Sequence, residues 1–170
     1  MKAWIRRSVI ERFRKLGALN GSLLLADRLL GGLSGNQARI IRYYLAAQPV
    51  PSVSSDALRP TASSPVRRIH KEDPIVADFP RPAAVIAGRF AAGARCYVAE
   101  VRGRFAGYLW LAFGGYDEDE VRCRYEFAEP GICSWDDDVY VEPAFRLGRT
   151  FARLWSVANR DLAMEGFRWS

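Results

Sequence analysis

Three consecutive carboxylates, Asp136, Asp137 and Asp138, open the stretch DDDVYVEPAFRLGRTFARLW. Crowded carboxylates raise one another's pKa, which suits a general base that removes a proton from an ammonium. Alternation along a strand puts Asp136 and Asp138 on one face and Asp137 on the other. The alternative for each is a solvated acidic strand end. Arg146, Gly148 and Arg149 follow, between a β-branched apolar run and a run with helical spacing. A strand entering a helix through a short basic, glycine-containing turn makes an anion site. The first-turn N–H groups lack intrahelical partners, the macrodipole adds positive charge, and together they favour a phosphate. Arg146 and Arg149 supply charge-assisted bonds, and Gly148 lets a ligand approach the backbone. An ordinary helix start with exposed arginines is the plainer reading.

Other chemistry is poorly provided for. Glu126 is a weaker carboxylate candidate, and Asp117 to Glu120 reads as a solvated turn. A Ser-His-Asp triad would need His70, the single histidine, and no Gly-x-Ser-x-Gly elbow is present. One histidine and three cysteines without a CxxC pair argue against a zinc site, so no metal is expected. Cys96, Cys123 and Cys133 read as reduced thiols in a cytoplasmic protein. Cys133 has acidic neighbours, which disfavour a thiolate nucleophile.

The elements that must hold these residues follow from periodicity. The chain has 170 residues, 49% hydrophobic, enough for one compact domain and an appendage. Residues 1–48 carry nine Lys/Arg against Glu11 and Asp27, giving +7, while the remainder is near neutral. A nucleic-acid reader would be basic across its main domain, so nucleic acid is not an expected partner. Ile5, Val9, Phe13 and Leu16 make one helical face. Ser22 is the expected cap of a second helix, and Asn36 of a third that stops before Pro49. Residues 1–48 thus form a basic helical extension. Residues 49–65, with four prolines and five serines, read as a linker. From Val66 to Ser170 the expected order is a strand (VRRIH), two short helices capped at Asp73, and a hairpin of RCYVAEV and FAGYLWLAF turning at RGR. A polar turn (GGYDEDE), VRCRYEF, DDDVYV, a helix from Ala144 closed by Gly166, and a final strand at FRWS complete it. This is a mixed α/β (α+β) fold, a mostly antiparallel sheet with flanking helices and a parallel crossover around the last helix.

VYVEPAFRLGRTFARLWSVANRDLAMEGFRW resembles motif A of the GNAT acyltransferase superfamily, and CYVAEVRGRFAGYLWL resembles that family's second and third strands. The resemblance covers residues 67 to 170. It implies acetyl-CoA or another acyl-CoA as co-substrate. Val139, Tyr140 and Val141 would pair with the pantetheine arm, and the N–H groups of Leu147, Gly148, Arg149, Thr150 and Phe151 would cradle the pyrophosphate. It further implies direct acyl transfer to a small-molecule or protein amine, with a carboxylate acting through water. Arg149 and Phe151 stand where the family has Gly and Gly/Ala. The family continues beyond FRWS with a helix and a strand pair, which implies a truncated domain or a sheet completed in a homo-oligomer.

N-acyl transfer is therefore the leading expectation. The alternative is a non-catalytic acyltransferase-like module that binds a partner or a membrane surface through residues 1–48. Residues 2–16 either pack on the helices that follow or lie peripherally on an anionic membrane.

Overall fold

The computed structural model describes residues 2–51, 58–118 and 123–170, with the backbone alone for 2–15. The chain divides into two compact units, Met1–Leu45 and Ala46–Ser170. The proposed apolar face of Ile5, Val9 and Phe13 lies outside the described side chains, and part of the 49–65 stretch lies outside the described residues.

In the first unit, α1 (Lys2–Ser34) is broken at Gly17, whose φ of 76° and ψ of 163° are not helical. Ser22 is no cap. It sits inside the helix and its hydroxyl donates to the Ala18 carbonyl at 2.9 Å. The expected third helix is also absent. Gly35 and Asn36 both take left-handed conformations (φ 61° and 64°), which stop the helix and reverse the chain. Asp27 then accepts the Ile40 N–H at 2.9 Å and both Arg39 Nε and Nη2, at 2.8 and 3.0 Å. A helix begun at Asn36 would need that Ile40 amide for the Asn36 carbonyl. A buried aspartate outcompetes it, so the segment after Asn36 runs back along α1 without helical structure.

In the second unit, β1 (Val66–Ile69), β2 (Arg95–Val101), β3 (Arg104–Phe113) and β6 (Ser134–Val141) form an antiparallel sheet in the order β1-β2-β3-β6. The β2–β3 turn is Arg102-Gly103, with φ of 52° and 72°, the positive values a two-residue hairpin turn requires. Asp73 caps a 3₁₀ turn (Pro74–Asp78) by accepting the Ile75 N–H at 3.2 Å, and α2 (Ala83–Ala91) follows.

Both faces of the sheet are covered. Cys96, Val98, Tyr108 and Trp110 meet Ile69, Phe79 and Ile86 on one side. Tyr97, Ala99, Leu109 and Leu111 meet Leu154, Val157, Ala158 and Leu162 of α3 (Thr150–Met164) on the other. This is why YLWLA is apolar without a break. Gly166, at φ 86°, closes α3, with Phe167 N–H bonded to the Leu162 carbonyl at 2.9 Å.

Three expectations are corrected. GGYDEDE is not wholly a turn: β4 (Gly115–Glu118) pairs with β5 (Cys123–Glu126) in a separate two-stranded sheet. That hairpin is held by aromatic stacking, with Tyr116 and Tyr125 each 5.2 Å from Trp135. The helix does not start at Ala144. A 3₁₀ turn (Pro143–Phe145) and a turn over residues 146–149 come first. FRWS makes only a bridge at Trp169, parallel to Cys133 and antiparallel to Pro49. Gln48 and Val50 donate to the Ser170 and Arg168 carbonyls, each at 2.8 Å, so residues 48–50 flank the last residues. Of the parallel crossover expected around α3, the single parallel bridge between Cys133 and Trp169 is what forms, and the sheet itself is antiparallel throughout.

Candidate functional site

The β3–β6 register jumps from Trp110↔Asp138 to Leu111↔Asp136, so Asp137 is the extra residue of a β-bulge. The expected alternation of the three acids therefore fails. Asp138 lies opposite Trp110, on the α2 side of the sheet. Asp136 lies opposite Leu111, on the α3 side, with Val139 and Val141.

The three carboxylates live in different surroundings. Asp138 Oδ2 accepts from Arg81 Nε at 3.0 Å, Arg89 Nη1 at 2.9 Å and the Tyr108 hydroxyl at 2.9 Å. Its Oδ1 accepts from Arg81 Nη2 at 3.1 Å. Burial alone would raise its pKa, but the bonds from Arg81, Arg89 and Tyr108 together outweigh burial and hold it below the ordinary carboxylate value. A carboxylate so placed is a poor proton acceptor. Asp137 pairs with Arg89 Nε at 2.8 Å. Asp136 is pushed up to about 6, first by desolvation in the crowded strand and then by Asp137 and Asp138. Its side chain still reaches solvent, which tempers the rise and leaves it open to an approaching molecule. Glu126 sits on β5, outside the main sheet, and is exposed.

Val139, Tyr140, Val141, Arg146 and Phe151 line one open pocket of about 390 Å³. Among the described residues no strand pairs with the outer edge of β6 beyond Ser134, whose N–H bonds the Trp169 carbonyl at 2.9 Å. The edge beside the pocket thus offers backbone groups to an extended ligand. Arg146 Nε donates to the Val141 carbonyl at 3.0 Å, fastening the turn to the strand end.

The amide cradle differs from the expectation. Gly148 N–H is bonded to the Phe145 carbonyl at 3.1 Å, and α3 begins only at Thr150. No side chain caps the helix start. Its first-turn amides are those of Thr150, Phe151 and Ala152, so of the five expected amides only those of Thr150 and Phe151 lie in that turn. Leu147 is fully exposed, and Thr150 is buried. Phe151 does not turn into the core. It is 50% exposed, with its ring 6.5 Å from Trp155.

Sequence reasoning missed Arg81, Arg89 and Tyr108. The Gly-Tyr pair in FAGYLWL was visible, but the two arginines lie in helix and turn segments far from Asp138 in sequence. The three cysteines are free, and burial pushes the Cys96 thiol far up. His70 is exposed. Among the described residues no group of His, Cys, Asp and Glu is placed to hold a metal, and no helix is long and apolar enough to cross a membrane.

No protein-family model and no curated protein matches the chain. Among solved structures, it is similar to a ribosomal-protein-alanine N-acetyltransferase from Brucella melitensis biovar Abortus 2308. The identity is 18%, over 61% of this chain and 74% of that one, with a TM-score of 0.41. It is also similar to an aminoglycoside acetyltransferase from an uncultured soil metagenomic sample, seen in complex with sisomicin and with trehalose. There the identity is 12%, over 62% of this chain and 73% of that one, with TM-scores of 0.42 and 0.41. Likenesses this distant carry no conclusion about this chain's activity.

Proposed function

We propose that the chain is an acyl-CoA-dependent N-acyltransferase of GNAT type, moving an acetyl or other acyl group to a small-molecule or protein amine. The observation that carries this reading is the continuity of three features along β6: the bulged acids, the unpaired edge at Val139–Val141, and the uncapped start of α3. In this reading the pantetheine arm pairs with the β6 edge. The pyrophosphate meets the amides of Thr150, Phe151 and Ala152 and the charges of Arg146 and Arg149.

Asp136 is the general base. Through a water it takes a proton from the acceptor ammonium, and the freed amine attacks the thioester carbonyl. The C–N bond forms as the C–S bond breaks, and the thiolate leaves with the second proton from nitrogen. Asp137 and Asp138 hold Arg89 and Arg81 and shape the bulge that aims Asp136. The reading includes a cytoplasmic location, where acyl-CoA is at hand.

Calorimetric titration of acetyl-CoA tests the donor site. Wild-type protein is expected to bind in the micromolar range. Arg146→Ala or Arg149→Ala is expected to weaken binding by about 1.5–3 kcal/mol, the scale of a hydrogen bond to a charged group. No binding at millimolar coenzyme A would sink the reading in favour of a non-catalytic module acting through residues 1–48.

A further inference from the structure

The second half of α1 is covered on one side and bare on the other. Asp27 and Asn20 hold the returning segment through Arg39, Ile40 and Arg42, with Arg42 Nη1 2.6 Å from Asn20 Oδ1. The bare side carries Leu19, Leu25, Leu29, Leu30 and Leu33, all exposed, and Leu33 at 89%. At 3.6 residues per turn these five fall within an arc of about 140°. No charged residue lies in that arc. Between the leucines stand only Ala18, Ser22 and Ala26, and the Ser22 hydroxyl is already bonded to the Ala18 carbonyl at 2.9 Å. The face runs for about 21 Å at 1.5 Å per residue. Exposed apolar surface of this extent marks an interaction site.

Charge selects the occupant. Residues 1–48 hold nine Lys/Arg against two acids. Six of the nine (Lys2, Arg6, Arg7, Arg12, Arg14 and Lys15) precede the leucine face directly. Two copies of such a segment repel one another, whereas an anionic lipid surface attracts it over a Debye length and then takes the leucines. Among the described residues no helix can cross a membrane, so the mode is interfacial.

We propose that the leucine face of α1, with the basic segment before it, docks the protein on an anionic membrane surface. This rests on the first unit alone and stands apart from the acyl-transfer reading. The test is co-sedimentation of the full chain with phosphatidylcholine vesicles, with and without 30% phosphatidylglycerol (about one lipid in three, enough to give a surface potential). Binding is expected only to the anionic vesicles. It is expected to weaken at least tenfold in the double variant Leu29→Gln/Leu33→Gln and at least tenfold between 50 and 500 mM salt (about 14 to 4 Å of screening). Both leucines are exposed, and circular dichroism checks that the variant keeps its helix. Three outcomes would overturn the proposal: no binding to anionic vesicles at millimolar lipid, undiminished binding of the double variant, or a dimer in sedimentation velocity that the double variant dissolves. The last would assign the face to a second copy of the chain.

Discussion

Asp136, Asp137 and Asp138 are identical in type and adjacent in sequence, yet their surroundings push the carboxyls of Asp136 and Asp138 in opposite directions. Asp138 is bonded by two arginines and a tyrosine, and Asp137 by one arginine. Asp136, with its pKa near 6, is protonated in acid and becomes a base as pH rises. Asp136→Asn is accordingly expected to lower kcat by about 10²–10⁴-fold. It is also expected to remove the acidic limb of the kcat/KM profile, which a pH–rate series would show. The same shift has a sign for stability. A carboxyl whose folded pKa is raised favours the fold below its unfolded value near 3.8, and this contribution is lost as pH rises through about 6. Asp136→Asn should therefore raise the melting temperature at pH 7.5 and leave it unchanged at pH 3.5. Equal melting shifts at both pH values would mean that the carboxyl is not perturbed.

The strand β6 is placed by what lies beside it. Gly107 of β3 faces the β6 backbone, and a Cβ there would come within 2.4 Å of the Tyr140 carbonyl oxygen. Gly107→Ala must push β6 outward just where Val139 to Val141 form their pocket. A loss of about 1–3 kcal/mol is expected by analogy with overpacked sites, with weaker acyl-CoA binding, and urea unfolding would measure the first. On the other side, Asp138 ties β6 to α2 through Arg89, whose side chain is largely buried. Asp138→Ala takes one of two carboxylates from that guanidinium, Asp137 being the other, and removes the acceptor of the Tyr108 hydroxyl, at a cost of about 1–3 kcal/mol. Because the Asp138 pKa is lowered in the fold, the wild-type advantage over Asp138→Ala should vanish as acid titrates the folded carboxyl, below the ordinary carboxylate range. The main strands and the last helix were legible because unbroken apolar runs bounded by turn residues, and an apolar run of 3.6-residue period, record burial directly. The bulge was not, since a one-residue register slip leaves no mark in composition. The failed third helix was not either, because Asp27 decides it from across a chain reversal.

At the level of the whole chain, the division at Leu45/Ala46 separates units that differ in what holds them. The second has a two-sided core in which α3 closes one face of the sheet. Its ends are also joined. Gln48 N–H bonds the Ser170 carbonyl at 2.8 Å, Ser170 N–H returns to the Gln48 carbonyl at 3.0 Å, and Val50 N–H bonds Arg168 at 2.8 Å. Val50 packs against the α3-side core. A chain begun at Ala46 should therefore fold by itself and melt in one cooperative transition. A chain begun at Ser52 loses three backbone hydrogen bonds, each worth about 0.5–1.5 kcal/mol, and the burial of one valine, about 1.5 kcal/mol or more. It should be less stable by about 3–6 kcal/mol on that sum, a large share of the stability of a small domain. The comparison is a pair of thermal melts. Coincident melts would show that residues 46–51 only pass by the sheet. A large gap would place the functional start of the second unit before the proline- and serine-rich stretch rather than after it.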